Sequence, residues 1–202
     1  MDHLEPVPAS YGNEVLDGYQ RRLRQILFEP LAAQSIVATV LIKTSFAPER
    51  LVALVYDGDQ HAIVAMTASR LVWNPQNAEA LIPASRSERK IGRSLAVTLT
   101  DLWTAALQSV RPAETESGML DGDRYEFSAG GAVGSTCSPK SSSPMGQLVE
   151  VVELLYKLVQ GRFVFSLRGP EVKIEKMAAA LTRKISELPP SRTSPPSPAP
   201  GT

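Results

Sequence analysis

From Asn13 onward, apolar residues recur at helical spacing: Val15, Leu16, Tyr19, Leu23, Ile26 and Leu27. The Asn13 side chain can accept from the first free N–H groups, and Pro30 resists continuation, so the pattern predicts one helix between them. Arg21, Arg22 and Arg24 lie on its polar side with no aromatic interleaved, as on a solvated face. The next stretch, "SIVATVLIKTSF", is β-branched and apolar without alternation, which predicts a strand buried on both faces and broken by Pro48. "RLVALVYDGDQHAIVAMTASRLVW" then joins two apolar runs through Asp-Gly, a strong hairpin signal, with Trp73 closing the second strand.

The pattern then turns polar. Residues 76–93 read as a Ser/Arg-rich loop in which Arg86, Arg89, Lys90 and Arg93 gather around Glu88. "SLAVTL" is expected as a short strand passing into a helix at Thr98 or Thr100, where "TLTD" offers a variant capping box. Leu99, Leu102, Trp103, Ala106, Leu107 and Val110 form that helix's apolar stripe. Beyond it, Tyr125 and Phe127 alternate with Arg124, Glu126 and Ser128, Gly130 and Gly131 turn the chain, and "AVGSTC" returns as a partner strand. A third helix is bounded by Ser143 and Pro144 at its start and Gly161 past its end. "RFVFSLRG" has strand alternation, and "PEVKIEKMAAALTRKISEL" carries a helical row of Ile174, Met177, Leu181, Ile185 and Leu188.

Hairpins interspersed with helices, without regular strand–helix–strand alternation, predict an α+β fold. The expected form is a mainly antiparallel sheet built from hairpins and covered by about four helices on one face. Residues 1–12 are expected to be loose, residues 13–188 to form a single domain, and residues 189–202, rich in Pro, Ser and Thr, to be a disordered tail. "RTSPPSP" in that tail has the Arg-x-x-Pro-x-x-Pro form, which such a composition produces readily by itself.

Composition narrows the function classes. The 202 residues are 43% apolar, enough for one sizeable core. Lys plus Arg and Asp plus Glu balance at 21 each, so no net field steers nucleic acid or an anionic membrane toward the chain, and neither is expected as a partner. The single cysteine, Cys137, excludes an intrachain disulfide. "MDHLEPVPASYGNEV" lacks the basic and apolar regions of a secretory signal, and no apolar run reaches membrane-spanning length, so a soluble, cytoplasmic protein is expected.

Candidate chemistry is sparse. Gly-x-Ser-x-Gly is absent, and the Gly-rich "SAGGAVGSTCSPK" lacks the Gly-Lys-Ser/Thr of a phosphate loop, so no cofactor is expected. One nucleophile–base pair can be assembled, Cys137 with His61, the imidazole oriented by an aspartate. The tripeptide Asp-Gly-Asp occurs twice, in "YDGDQH" and "LDGDRY", and Asp57, Asp59, Asp121 and Asp123 would make an acidic metal site if the two turns met. Both copies place Gly second and no acid twelfth, unlike a helix-loop-helix calcium loop, and both run straight into strand residues. Turn signals are the simpler reading.

The run "LTDLWTAAL", "LDGDRYEF", "STCSP" and "SPMGQLVEVVELL" resembles a group of bacterial proteins of unknown function. In that group a Trp-bearing helix leads to an Asp-Gly-x-x-Tyr-x-Phe strand, a Ser-Pro turn and an apolar helix. The resemblance covers roughly residues 98–160, and more weakly the first helix and hairpin. The position before Ser-Pro, often aromatic in the group, is Cys137 here, which implies a packing role for it. No activity comes with the resemblance. The expectation is a non-enzymatic binding or accessory module working through a protein partner. The alternative is a hydrolase or transferase with its site around the 128–139 hairpin, using Cys137 and His61.

Overall fold

Leu51 to Val55 are five consecutive buried residues on one strand, and Ala62 to Met66 are five on the next. A strand shows one side chain to each face in turn, so both faces of the sheet have to be covered where these strands lie. In the computed structural model, residues 3–8, 10, 12–74, 81–112, 122–162 and 169–187 are described. Within them, β1 (Ser35–Lys43), β2 (Arg50–Asp57), β3 (Gln60–Ala68), β4 (Ala84–Ile91), β5 (Arg124–Ala129) and β6 (Ala132–Cys137) form one sheet. Its order is β4-β3-β2-β1-β5-β6, with every neighbouring pair antiparallel. The fold is therefore α+β, with a six-stranded antiparallel sheet.

Three helices cover one face: α2 (Arg93–Gln108), α3 (Pro144–Val159) and α4 (Gly169–Ser186). Leu99, Leu102 and Trp103 of α2, Leu148, Val152 and Leu155 of α3, and Ile174, Ala178 and Leu181 of α4 join a core with Val40, Ile42, Val52, Leu54, Ile63, Tyr125 and Phe127. A separate core lies on the opposite face. There Leu41, Leu51, Ala53, Val55, Ala62, Val64 and Met66 meet Leu23, Leu27 and Leu31.

Those three leucines belong to the first helical segment. Helix α1 (Glu14–Leu23) is capped by the Asn13 side chain, which accepts from the N–H groups of Val15 and Leu16. It runs on as a π-helical turn over Arg24–Phe28 and a 3₁₀ turn over Glu29–Leu31. The change of winding keeps Leu23, Leu27 and Leu31 fully buried in one row. Pro30 stands in the opening turn of the 3₁₀ segment, where its missing N–H costs nothing, so it does not end the helical path. The helices thus divide between the faces, α2 to α4 on one and α1 on the other.

Other departures from the sequence reading have local causes. The stretch read as a loop contains β4, an edge strand whose polar residues meet solvent; Arg86, Arg89 and Lys90 lie on it and Arg93 opens α2. "SLAVTL" is helix, because α2 starts from Gly92; the hydroxyls of Thr98 and Thr100 donate back to the carbonyls of Ser94 and Ala96 instead of capping. Trp73 lies beyond the end of β3, in the following loop. Near the start of the chain Leu4 is fully buried in the first core, and Glu5 pairs with Ser135 on the outer edge of β6 through two backbone hydrogen bonds of 2.7 Å. The pairing is a single isolated bridge, and Pro6 and Pro8 follow it at positions whose nitrogens point away from β6. The strand expected over "RFVFSLRG" and the tail over 189–202 fall largely or wholly outside the described residues.

Gly146, in the first turn of α3, gives a test of packing against propensity. A Cβ there would stand 2.0 Å from the Lys140 carbonyl oxygen. Helix propensity alone would make Gly146→Ala stabilising by roughly 1 kcal/mol. The clash reverses the sign, and chemical denaturation should show a loss of about 1–3 kcal/mol.

Candidate functional site

The residues singled out by sequence are not gathered in one place. His61 lies at the start of β3, its ring tilted against Tyr56 with centres 4.8 Å apart, and Cys137 closes β6. Strands β2, β1 and β5 lie between β3 and β6, about 19 Å across the sheet at ordinary strand spacing, and His61 is level with Ser35 at one end of β1 while Cys137 is level with Lys43 at the other. They also face opposite sides. His61 pairs with Ile91 of the three-helix core, whereas Cys137 alternates with Thr136 and Gly134, of which Gly134 backs onto Leu4 and Val110 in that core. Burial pushes the Cys137 thiol up from its ordinary range, and the Arg124 guanidinium opposes this only in part.

The two Asp-Gly-Asp turns are separated as well. Asp57 and Asp59 flank Gly58 at the tip of the β2–β3 hairpin, where Gly58 takes the left-handed φ of 65° that the turn needs. The second tripeptide is a strand entry. Gly122 is held by Ser45, whose hydroxyl both accepts from its N–H and donates to its carbonyl, and Asp123 leads into β5. Tyr56 next to the first turn is level with Ser35 at the start of β1, and Arg124 after the second is level with Lys43 at its end. The turns therefore sit at opposite ends of the sheet. Asp121 lies outside the described residues. Among the described residues no group of three or more His, Cys, Asp or Glu side chains is placed to hold a metal ion.

What the structure does gather is a polar field on the α1 face of β1, β5 and β6. Lys43, read within an apolar strand, is buried there in an ion pair with Glu126, which Arg124 also approaches at 3.4 Å. Burial pulls the Lys43 ammonium down while Glu126 holds it up. Arg124 donates to the Ser135 hydroxyl at 2.9 Å, and the Thr39 and Ser128 hydroxyls meet at 2.7 Å. The signals were present in sequence: a lysine ending "SIVATVLIK", and Arg124, Glu126 and Ser128 on alternate positions of β5.

A groove of about 960 Å³ opens between this field and α1. Leu23, Phe28, Leu41 and Val133 give it apolar surface, Thr39, Ser128 and Glu126 come from the sheet, and Asp17, Arg21 and Arg24 stand along the helical wall. Val7 and Pro8 line its end, just after the chain leaves the edge of β6. Its lining thus combines apolar surface with charges of both signs.

The helical wall is fixed by one carboxylate. Glu49 is fully buried and accepts from the Tyr19 hydroxyl at 2.9 Å and from the backbone N–H groups of Val72 and Trp73 at 2.8 and 3.1 Å. Tyr19 also meets Trp73 edge to face at 5.0 Å. Helix α1, the start of β2 and the loop after β3 are thereby tied at one point.

Set against protein families, curated proteins and solved structures, the chain matches none. Among the described residues no helix is long and apolar enough to cross a membrane.

Two measurements check this geometry. Glu49→Ala leaves two backbone donors and the Tyr19 hydroxyl without their acceptor, and denaturant titration should show a loss of about 3 kcal/mol, against about 1 kcal/mol for Tyr19→Phe. For Cys137 the fold favours the neutral thiol, so its stabilising effect is present below the ordinary thiol pKa of about 8.5 and is lost as pH rises through the raised value. Iodoacetamide labelling of the native protein should accordingly have its pH midpoint above that of the same thiol in denaturant.

Proposed function

We propose that the protein is a binding module without catalytic activity of its own, and that it holds an extended segment of a partner protein in the groove beside α1. One observation carries this reading. The groove borders the outer edge of β6, and that edge already accepts an extended chain: Glu5 pairs there with Ser135 in an isolated bridge, and Val7, Pro8 and Val133 line the trough beside it. A partner segment laid along it would gain edge hydrogen bonds from its backbone and specificity from side chains on the apolar surface. Arg21 and Arg24 on the wall and Glu126 on the sheet would select a segment with charges of both signs flanking its apolar residues.

The separation of Cys137 and His61 supports a reading that does not rest on a thiol–imidazole pair, since no proton passes directly between side chains so far apart. A single half-buried thiol and balanced charge suit a reducing, cytoplasmic setting.

Peptide display against the full chain tests the reading, with two single-site variants as counter-screens. Val133→Arg puts a long cation into the groove, whereas Val97→Arg alters an exposed position on α2. Selected peptides should carry apolar residues flanked by charges, and Val133→Arg should weaken their binding at least about tenfold while Val97→Arg leaves it unchanged. Peptides that bind both variants as well as the parent protein would count against the groove.

A further inference from the structure

At its other edge the sheet ends in β4 among the described residues. Strand β4 pairs with β3 along its whole length, from Ala84 opposite Ala68 to Ile91 opposite His61. No other strand pairs with it among the described residues. Ser85, Arg86, Glu88, Arg89 and Lys90 are all exposed. An eight-residue edge strand is a template for another strand unless its side chains forbid the approach.

The side chains of β4 forbid most approaches and allow one. Arg86, Glu88 and Lys90 lie on the α1 face, opposite Met66, Val64 and Ala62, while Ser85, Ser87 and Arg89 lie on the other. Two copies related by a twofold axis perpendicular to the sheet must pair antiparallel, with one residue opposite its own copy. Centring on Arg86 opposes two arginines; centring on Glu88 opposes two glutamates and twice sets Arg86 against Lys90. Centring on Arg89 opposes two arginines again. Centring on Ser87 opposes two small hydroxyls, sets Arg86 against Glu88 twice, and places Arg89 beside Ser85 and Lys90 beside Ala84. No like charges stand directly opposite each other in that register, and it keeps nearly the full length of the strand.

The geometry points to a second copy of this chain as the partner of β4, joined antiparallel about Ser87 into a continuous twelve-stranded sheet. Within one copy Arg86 already meets Glu88 at 2.6 Å. The twofold turns this pair into a closed square of two arginines and two glutamates, each charge next to two of opposite sign. Arg89 stays tied to Glu171 of α4 on the far face and does not compete. The contact leaves the groove at the β6 end open on each copy, so the dimer would present two grooves at the outer ends of one sheet.

Sedimentation velocity on the full chain, run across a concentration series, tests this directly. The parent protein should shift from monomer to dimer as concentration rises, and more weakly at high salt. Glu88→Arg opposes Arg86 to a second cation at both pairs and should raise the dissociation constant by on the order of tenfold or more. The charge swap Arg86→Glu with Glu88→Arg restores both pairs and should restore the dimer. Circular dichroism confirms that each variant folds. In a Cys137→Ser background, a short bis-maleimide should join copies of Ser87→Cys well ahead of copies of Ser85→Cys, because only residue 87 meets its own copy. A monomer at every concentration, a dimer indifferent to Glu88→Arg, or equal cross-linking at both positions would overturn the assignment.

Discussion

The structure depends on burying β2 and β3 from both sides. Leu51 to Val55 and Ala62 to Met66 leave no face of these strands for water, and burial of each large apolar side chain contributes about 1.5–3 kcal/mol. Three helices supply the cover on one face with surface to spare. On the other face, among the described residues, the cover for β2 and β3 comes mainly from Leu23, Leu27 and Leu31, in one segment that changes its winding to keep them in line, with Val72 and Ile82 beside them. That segment is too narrow to cross the whole sheet. Where its cover ends, from β1 toward β6, the sheet face turns polar and the groove begins.

This division explains why an ionic field sits inside an otherwise apolar sheet. Lys43, Glu126 and Arg124 occupy positions that would be core if α1 were wider. A buried pair of this kind does little for stability by itself and is costly to break from one side. It gives that half of the face a charged lining in place of apolar core. Glu49 has the complementary part, tying the helical wall at Tyr19 to the loop after β3.

Much of the fold is legible in the sequence because the signals are local. The Asp-Gly hairpin at Asp57 and Gly58, the Asn13 and Ser143 caps and the alternation through Tyr125 and Phe127 each specify their element without help from distant residues. Strand β4 was not legible as a strand, because "ASRSERKI" is stabilised by its neighbour and not by its own propensity; only the alternation of Arg86, Glu88 and Lys90 hints at a pleated edge. Likewise "SLAVTL" has strand composition but is helix, since Leu95, Ala96 and Leu99 are buried at helical spacing against α4 and the sheet. The groove was invisible for a different reason. It is made by α1, β1, β5 and β6, which are distant in sequence, and topology rather than any motif brings them together. The same topology separates Cys137 from His61 and one Asp-Gly-Asp turn from the other.

The central claim is that the second face of the sheet has a covered half and an open half, and one paired thermal denaturation experiment addresses it. Leu27→Asp places a carboxylate under α1, where the side chain is fully buried, and Val133→Asp places one in the open half, where the native residue is 45% exposed. If the division is real, Leu27→Asp loses about 4 kcal/mol or fails to fold, and Val133→Asp melts within a degree or two of the parent protein. Comparable losses at the two positions would mean that the groove is core, and the account of this face would fail.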